Sequence, residues 1–297
     1  MKEKIDLHIH TCCSDGEKNP KSIIDEAVKN KVSVISITDH DTTAAYTEEL
    51  LAYAKKNNIT LIPGVEISTV TKKAGIHILG YFIDIHNQEL QNTLKKLENV
   101  RHDYLHNVSD ALKKLGYHIH TEELEQIKTV SKSHIANDIV TNPLNEQQLL
   151  HDFNHIPSKG EFIEAMMNEG CPAYVKKNTI SPLEAAKIIR KSGGKVVLAH
   201  PVAYKYEDNF TEQEILQIIQ DIKADGIEAY YIYINRNQDK IDETKLWNDF
   251  AKKHHLKTTV GSDFHKKDNI HPFIGLIEEN ISYNAEEITN WLYEKKH

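Results

Sequence analysis

The sequence has little arginine. Only Arg101, Arg190 and Arg236 stand among its 36 basic residues. The guanidinium fork is the usual reader of nucleic-acid phosphate, so an extended duplex-binding surface is excluded. No basic run exceeds three residues, and 44 acidic residues against 36 basic ones give a net charge of −8. An anionic substrate then has to be small, with metal ions supplying the positive charge. Cysteine is scarce too: Cys12, Cys13 and Cys171 form no C-x-x-C pair. That excludes a disulfide framework and points to a reduced, cytoplasmic protein. Long apolar runs are missing; Val196-Val197-Leu198-Ala199 is among the longest, against the ~20 residues of a spanning helix. A strand starts at Ile5, directly after Met-Lys-Glu-Lys, and leaves no room for a leader. Apolar residues make up 39%, and they recur in strands along the whole chain, which excludes a disordered polypeptide.

What the sequence does have is order and histidine. Short apolar strands are expected at 5–11, 32–38, 60–67, 76–83, 195–199, 227–234 and 258–261, alternating with amphipathic helices. That rhythm is the mark of a parallel α/β sheet or barrel. Asn19-Pro20, Ser181-Pro182-Leu183-Glu184 and Thr211-Glu212-Gln213-Glu214 read as helix starts. Further helices are expected over 44–56, over 239–253 and from 285. The rhythm breaks between 87 and 177. There Leu90, Leu94, Leu97, Val100, Leu105, Val108, Leu112 and Leu115 predict one long helix ending at Gly116. The chain thus divides into an α/β part, 1–86 with 178–297, and a helical insertion, 87–177, of lid size.

Of 18 histidines, several fall at strand ends with acids beside them. His8 and His10 lie on the first strand with Asp15 in the loop after it, His40 follows the second, and Asp263 and His265 the last; Glu66 and His77 lie on the third and fourth, and His200 ends the fifth. A single buried histidine is more often a hydrogen-bonded core residue than a ligand. Unrelated core histidines, however, would not gather at one sheet edge, and that edge is where α/β active sites form. Imidazole with carboxylate and no thiolate suits Zn, Mn or Fe(II). These donors outnumber the needs of one ion, and Glu66 is placed to bridge two, an arrangement suited to phosphoryl oxygens. His102 and His106 have helical metal-binding spacing, but the sequence offers no third ligand, so an exposed surface is expected. Tyr230, Tyr231 and Tyr233 are expected to pack.

His8-Ile9-His10-Thr11, Thr38-Asp39-His40-Asp41, Pro63-Gly64-Val65-Glu66, Ala199-His200-Pro201 and Gly261-Ser262-Asp263-Phe264-His265 together resemble the polymerase-and-histidinol-phosphatase (PHP) superfamily. With the insertion and Pro172-Ala173-Tyr174-Val175, they resemble its branch of nucleoside 3′,5′-bisphosphate phosphatases and 5′-end exoribonucleases. The resemblance implies a distorted (β/α)7 barrel with a helical insertion and two or three divalent ions. It implies one ion held by His8, His10, Glu66 and Asp263, a second by Glu66, His77 and His134, and a third by Asp15, His40 and His265. His134 enters through the resemblance alone; Lys132-Ser133 stand where the branch often has an arginine shortly before it. The implied reaction is hydrolysis of a small nucleotide, or of the 5′ end of a short RNA, by a hydroxide bridging two metals. His200, Asp263 and Glu66 are the expected catalytic residues, with His200 donating to a phosphate oxygen or protonating the leaving group. Lys132, Lys176, Lys177 or Arg236 would clamp a second phosphate. Competing readings are a phosphatase of another monoester, such as histidinol phosphate, and a metal-binding module without catalysis. Oligomeric state is not legible.

Overall fold

The computed structural model describes residues 4–176, 178–235, 237–268, 270–275 and 281–294. The chain divides into two compact units, Met1–Leu94 with Ile180–His297, and Lys95–Thr179. The first opens with β1 (Lys4–Ile9), α1 (Pro20–Lys29), β2 (Val32–Ile37), α2 (Glu48–Lys56), β3 (Thr60–Leu61), β4 (Gly64–Val70) and β5 (Gly75–Tyr81). Helix α3 (Gln88–Lys114) leads into the second unit, with α4 (Thr121–Leu124), α5 (Lys132–Thr141), α6 (Glu146–Phe153) and α7 (Lys159–Phe162). The chain returns through α8 (Pro182–Lys191), β6 (Lys195–Leu198), α9 (Pro201–Glu207), α10 (Glu212–Ile222), β7 (Gly226–Tyr230), β8 (Ile232–Ile234), β9 (Lys240–Asp242), α11 (Thr244–Lys253), β10 (Lys257–Val260) and α12 (Ala285–Tyr293). No helix among the described residues is long and apolar enough to cross a membrane.

The fold is mixed α/β. One sheet has the order β1-β2-β3, a second β10-β7-β6-β5-β4, and β8-β9 form a separate hairpin. Single bridges, Ile9 to Phe264 and His40 to Glu66, join the two larger sheets. The sheet is not all parallel, as the rhythm suggested. β5 runs antiparallel to both β4 and β6. The cause is the link 71–74 between β4 and β5, far shorter than the dozen or so residues a parallel crossover needs. The strand expected over 60–67 is broken by Pro63, which has no N–H to give a ladder: β3 stays beside β2 and β4 joins the second sheet. The strand expected over 227–234 breaks at Tyr231 into β7 and β8. The helix expected from 44 starts at Glu48, where the Thr47 side chain accepts from the Leu50 N–H. The other caps stand as read: Ser181 and Thr211 form capping boxes with Glu184 and Glu214, and Gly116 ends the long helix region at φ +92°.

Ile5, Leu7, Leu79, Tyr81, Val197 and Val260 pack with Trp291 and Leu292 of α12. Ile9, Ile35 and Ile37 pack under Ile23, Ile24 and Ala27 of α1 and Leu50 and Ala54 of α2. The helical unit has its own core, including Tyr104, Leu105, Val108 and Leu112 of α3, Ile135 and Ile139 of α5, and Phe162. Strand β1 is the informative one. Ile5, Leu7 and Ile9 make its apolar face; Asp6, His8 and, just past its end, His10 make the other, and all six are fully buried. A buried polar face is costly unless every group finds a partner, so this strand must meet partners of matching charge.

Candidate metal centre

The partners meet at Glu66. Its Oε2 lies 3.3 Å from His8 Nε2, 3.2 Å from His10 Nε2 and 3.0 Å from His40 Nδ1. Its Oε1 lies 3.1 Å from His77 Nδ1 and 3.2 Å from His200 Nε2. Asp263 adds a second, partly exposed carboxylate, with Oδ1 3.3 Å from His8 Nε2 and 3.1 Å from His10 Nε2. Asp15 is reached by His265 Nε2 at 3.4 Å, His10 Nδ1 at 3.6 Å and His40 Nε2 at 3.7 Å. Eight of the nine residues expected to bind metal, and His200, therefore converge. His77 gets there because β5 is reversed: it lies near the strand's beginning, which the hairpin brings to the end of the sheet where His8 and His40 lie.

Supporting groups fix the ring orientations. Glu228, on β7, accepts from His8 Nδ1 with both oxygens, at 3.0 and 3.1 Å, and from the His200 N–H at 2.9 Å. His265 Nδ1 donates to the Asp263 carbonyl at 2.8 Å. A carbonyl only accepts, so neutral His265 presents its Nε2 lone pair to Asp15; His8 likewise turns Nε2 toward Glu66 and Asp263. The Tyr231 hydroxyl donates to Asp263 Oδ2 at 3.3 Å, so this tyrosine lines the site instead of merely packing. Asp39 is an anchor, accepting from the Thr11 N–H and hydroxyl and from Ser14. Among the residues that meet at Glu66 and Asp15, His200 at φ +22° and Asp263 at φ +51° lie in the left-handed region. Strain of this kind persists only where the surroundings over-determine it, as the Glu228 bond does for His200.

The donor set fits divalent metal. Imidazole nitrogens and carboxylate oxygens face one another at hydrogen-bond distance, and His8 Nε2 lies 3.1 Å from His10 Nε2; a shared cation would hold these groups together in place of protons. Asp15 Oδ1, His40 Nδ1, Glu66 Oε2 and His77 Nδ1 are buried with no hydrogen bond of proper geometry. Burial opposes charge throughout, yet the imidazoles around them hold Asp15, Glu66 and Asp263 well below the usual carboxylate range. Burial likewise opposes a proton on His10, but Asp263 and Glu66 push its pKa up to about 10. Burial lowers His40, which favours the neutral, ligating form. Three overlapping donor groups are close enough to hold ions: His8, His10 and Glu66; His40, Glu66 and His77; and His10, Asp15, His40 and His265.

The remaining expected residues belong to the helical unit or lie outside the described residues. His134 is on α5 in the helical unit, where its Nδ1 lies 2.9 Å from Ser131 Oγ. It lines a cavity of about 420 Å³ with Ser133, Asn137, Asp138 and Lys159. Lys132 donates to Asn168 at 3.0 Å, and Lys176 is exposed. Lys177 and Arg236 lie outside the described residues. Sequence reasoning missed Glu228; the available signal was an acid in the middle of a strand that reads Gly-Ile-Glu-Ala-Tyr.

A family model described as the PHP domain matches residues 6–176. The chain belongs to the PHP family. It is a metal-dependent phosphoesterase of that family, and hence a hydrolase. Among PHP-family relatives, a 5′-3′ exoribonuclease of Haemophilus influenzae is 30% identical over 270 residues, covering 89% of this chain and 91% of the relative. A 3′,5′-nucleoside bisphosphate phosphatase of Chromobacterium violaceum is 27% identical over 265 residues, covering 88% and 87%. A solved structure from Chromobacterium violaceum, described as an amidohydrolase with bound sulfate and no metal, superposes with a TM-score of 0.71 at 25% identity, covering 90% and 89%.

Proposed function

We propose that the protein removes the 3′-phosphate of nucleoside 3′,5′-bisphosphates, leaving the 5′-monophosphate, and that it also acts on the 5′ ends of short RNA. The observation that carries this reading is the Glu66 carboxylate, approached by five imidazoles at 3.0–3.3 Å, in a chain similar to an exoribonuclease and a bisphosphate phosphatase. Two or three ions of Zn, Mn or Fe would be held by His8, His10, Glu66 and Asp263, by Glu66, His77 and His134, and by Asp15, His40 and His265. The Ser131 N–H donates to His134 Nδ1 at 3.2 Å, which puts the ring hydrogen on Nε2, so His134 would serve through Nε2 only once that bond is given up. Bound there, the ions lower the pKa of water and neutralise phosphoryl oxygens. The protein's own residues do the rest. Glu228 holds His8 and the strained His200 backbone. Burial opposes a proton on His200, but the bond to Glu66 raises its pKa; His200 is the group we propose to protonate the leaving oxygen. Lys132 and Lys176, with Lys177 and Arg236, are the cations proposed for the second phosphate. We read the two bridged sheets as a distorted (β/α)7 barrel and the helical unit as the substrate-binding insertion of a cytoplasmic enzyme.

The test is phosphate release from adenosine 3′,5′-bisphosphate by protein reconstituted separately with Mn, Fe(II) and Zn, with nucleotide products resolved. AMP plus phosphate is expected. Faster turnover of histidinol phosphate would move the substrate outside nucleotides. No turnover of any of these or of 5′-phosphorylated oligoribonucleotides, with metal bound, would remove the nucleotide reading.

A further inference from the structure

The helical unit holds a second set of metal-type donors. His102 and His106 lie one turn apart on α3, their ring centroids 5.6 Å apart. No third ligand is legible beside them in the sequence. The structure supplies one: Glu125, in the residue that follows α4, places Oε1 2.5 Å from His106 Nε2 and 3.8 Å from His102 Nδ1. The three donor atoms lie within 4.8 Å of one another. Around a tetrahedral zinc ion at ~2.0–2.1 Å, ligand atoms sit roughly 3.4 Å apart. One of these contacts is shorter than that and one longer, so modest side-chain rotation equalises them. Both imidazoles are about half exposed, with side-chain values of 55% and 53%, so an ion reaches them from solvent. The same helix turns bury Tyr104, Leu105 and Val108, and α4 contributes Leu124, to the helical core. The backbones carrying the three donors are thereby fixed, and only the side chains need order.

We propose that His102, His106 and Glu125 form an accessory site for a borderline divalent ion, Zn²⁺ by preference, that staples α3 to the segment after α4. Two imidazoles and one carboxylate are the ligand class that zinc takes with water in its fourth position. A hard ion such as Mg²⁺ has too few oxygens here. The staple is separate from the Glu66 cluster in residues and in role: it shares no donor with it and holds the fold of the helical unit.

The test is calorimetric titration of Zn²⁺ into the full chain already loaded with Mn²⁺, with released Mn²⁺ measured in the same sample. The wild type should take up one equivalent beyond the Mn²⁺ it releases. His102→Ala with His106→Ala should lose that equivalent, and Glu125→Gln should weaken it by about tenfold or more. Zn²⁺ should also slow amide exchange in 102–106 and 122–127 of the wild type and not of the double variant. Because these side chains are exposed, the variants should keep the far-UV spectrum and the Mn²⁺-dependent phosphatase rate. An extra equivalent that survives the double substitution, or uptake matched entirely by released Mn²⁺, would overturn the proposal.

Discussion

Replacing Glu228 with glutamine tests whether a residue outside the metal-type donor set governs it. The carboxylate is buried and accepts from both His8 Nδ1 and the His200 N–H. Glutamine has nearly the same shape but a single acceptor oxygen. If that oxygen serves His8, its amide meets the His200 N–H donor to donor; if it serves His200, the amide faces His8 and pushes the ring toward the wrong tautomer. One bond is lost either way, at about 1–3 kcal/mol for a buried unsatisfied group. Spread over metal binding, this predicts a loss of roughly 10–100-fold in affinity, the usual effect of disturbing the partner of a ligating histidine. The assay is phosphate release against metal concentration, paired with equilibrium metal binding. The midpoint should move to higher metal, KM at saturating metal should hold, and kcat should largely recover. A variant whose metal affinity stays within about twofold of wild type would refute the argument, because the His8 tautomer would then not depend on Glu228.

Other expectations follow from single contacts. A Cβ at Gly261 would sit 2.2 Å from Glu228 Oε1 and 2.3 Å from His8 Cβ, so Gly261→Ala should lower stability by about 1–3 kcal/mol or more and lose metal, read by thermal melting and metal content. Asp263→Asn removes the carboxylate that faces both His8 and His10 and should abolish metal-dependent turnover while the far-UV spectrum is kept; turnover near wild type would exclude Asp263 from the site. Leu105 is fully buried in the helical core, so Leu105→Ala should cost about 2–5 kcal/mol, seen as faster amide exchange confined to 95–179. Glu214 is held at about 2, first by Lys73 and then by Thr211, against an ordinary 4.5. Its folded pKa is depressed, so its stabilisation is complete above 4.5 and is lost as pH falls toward 2; Lys73→Met should flatten the acid side of the stability profile in that window.

Local rules carried far along this chain. Capping boxes at Ser181 and Thr211, the glycine stop at 116, and the period-two pattern of β1 each follow from residues close in sequence, and each was readable. The histidine and carboxylate gathering was readable as well, because strand ends are shared positions in such folds. What escaped were facts set by tertiary pairing. The reversal of β5 was encoded in a four-residue link, but an apolar strand looks alike in either direction. Glu228 shows no signal beyond being charged in a strand, since its partners are 220 and 28 residues away. Glu125 as a neighbour of His102 and His106 depends on how α4 folds back on α3. Tyr231 reads as packing until the strand is seen to break beside Asp263.

The reversed strand also sets a timetable. With β4 and β5 joined as a hairpin, Glu66 and His77 emerge from the ribosome only moments apart, after His8, His10, Asp15 and His40. Six donors therefore exist before any of the helical unit has been synthesised, while Asp263 and His265 follow only after all of it. The nascent chain thus exposes an incomplete set of ligands throughout synthesis of the helical unit. It closes that set only when the segment after β10 docks on the end of β1, through the Ile9–Phe264 bridge and the bond from the His10 N–H to the Phe264 carbonyl at 2.9 Å. Any ion that prefers the finished set to the partial one adds its binding free energy to that docking step, so metal supply and the docking of this segment become parts of the same folding event.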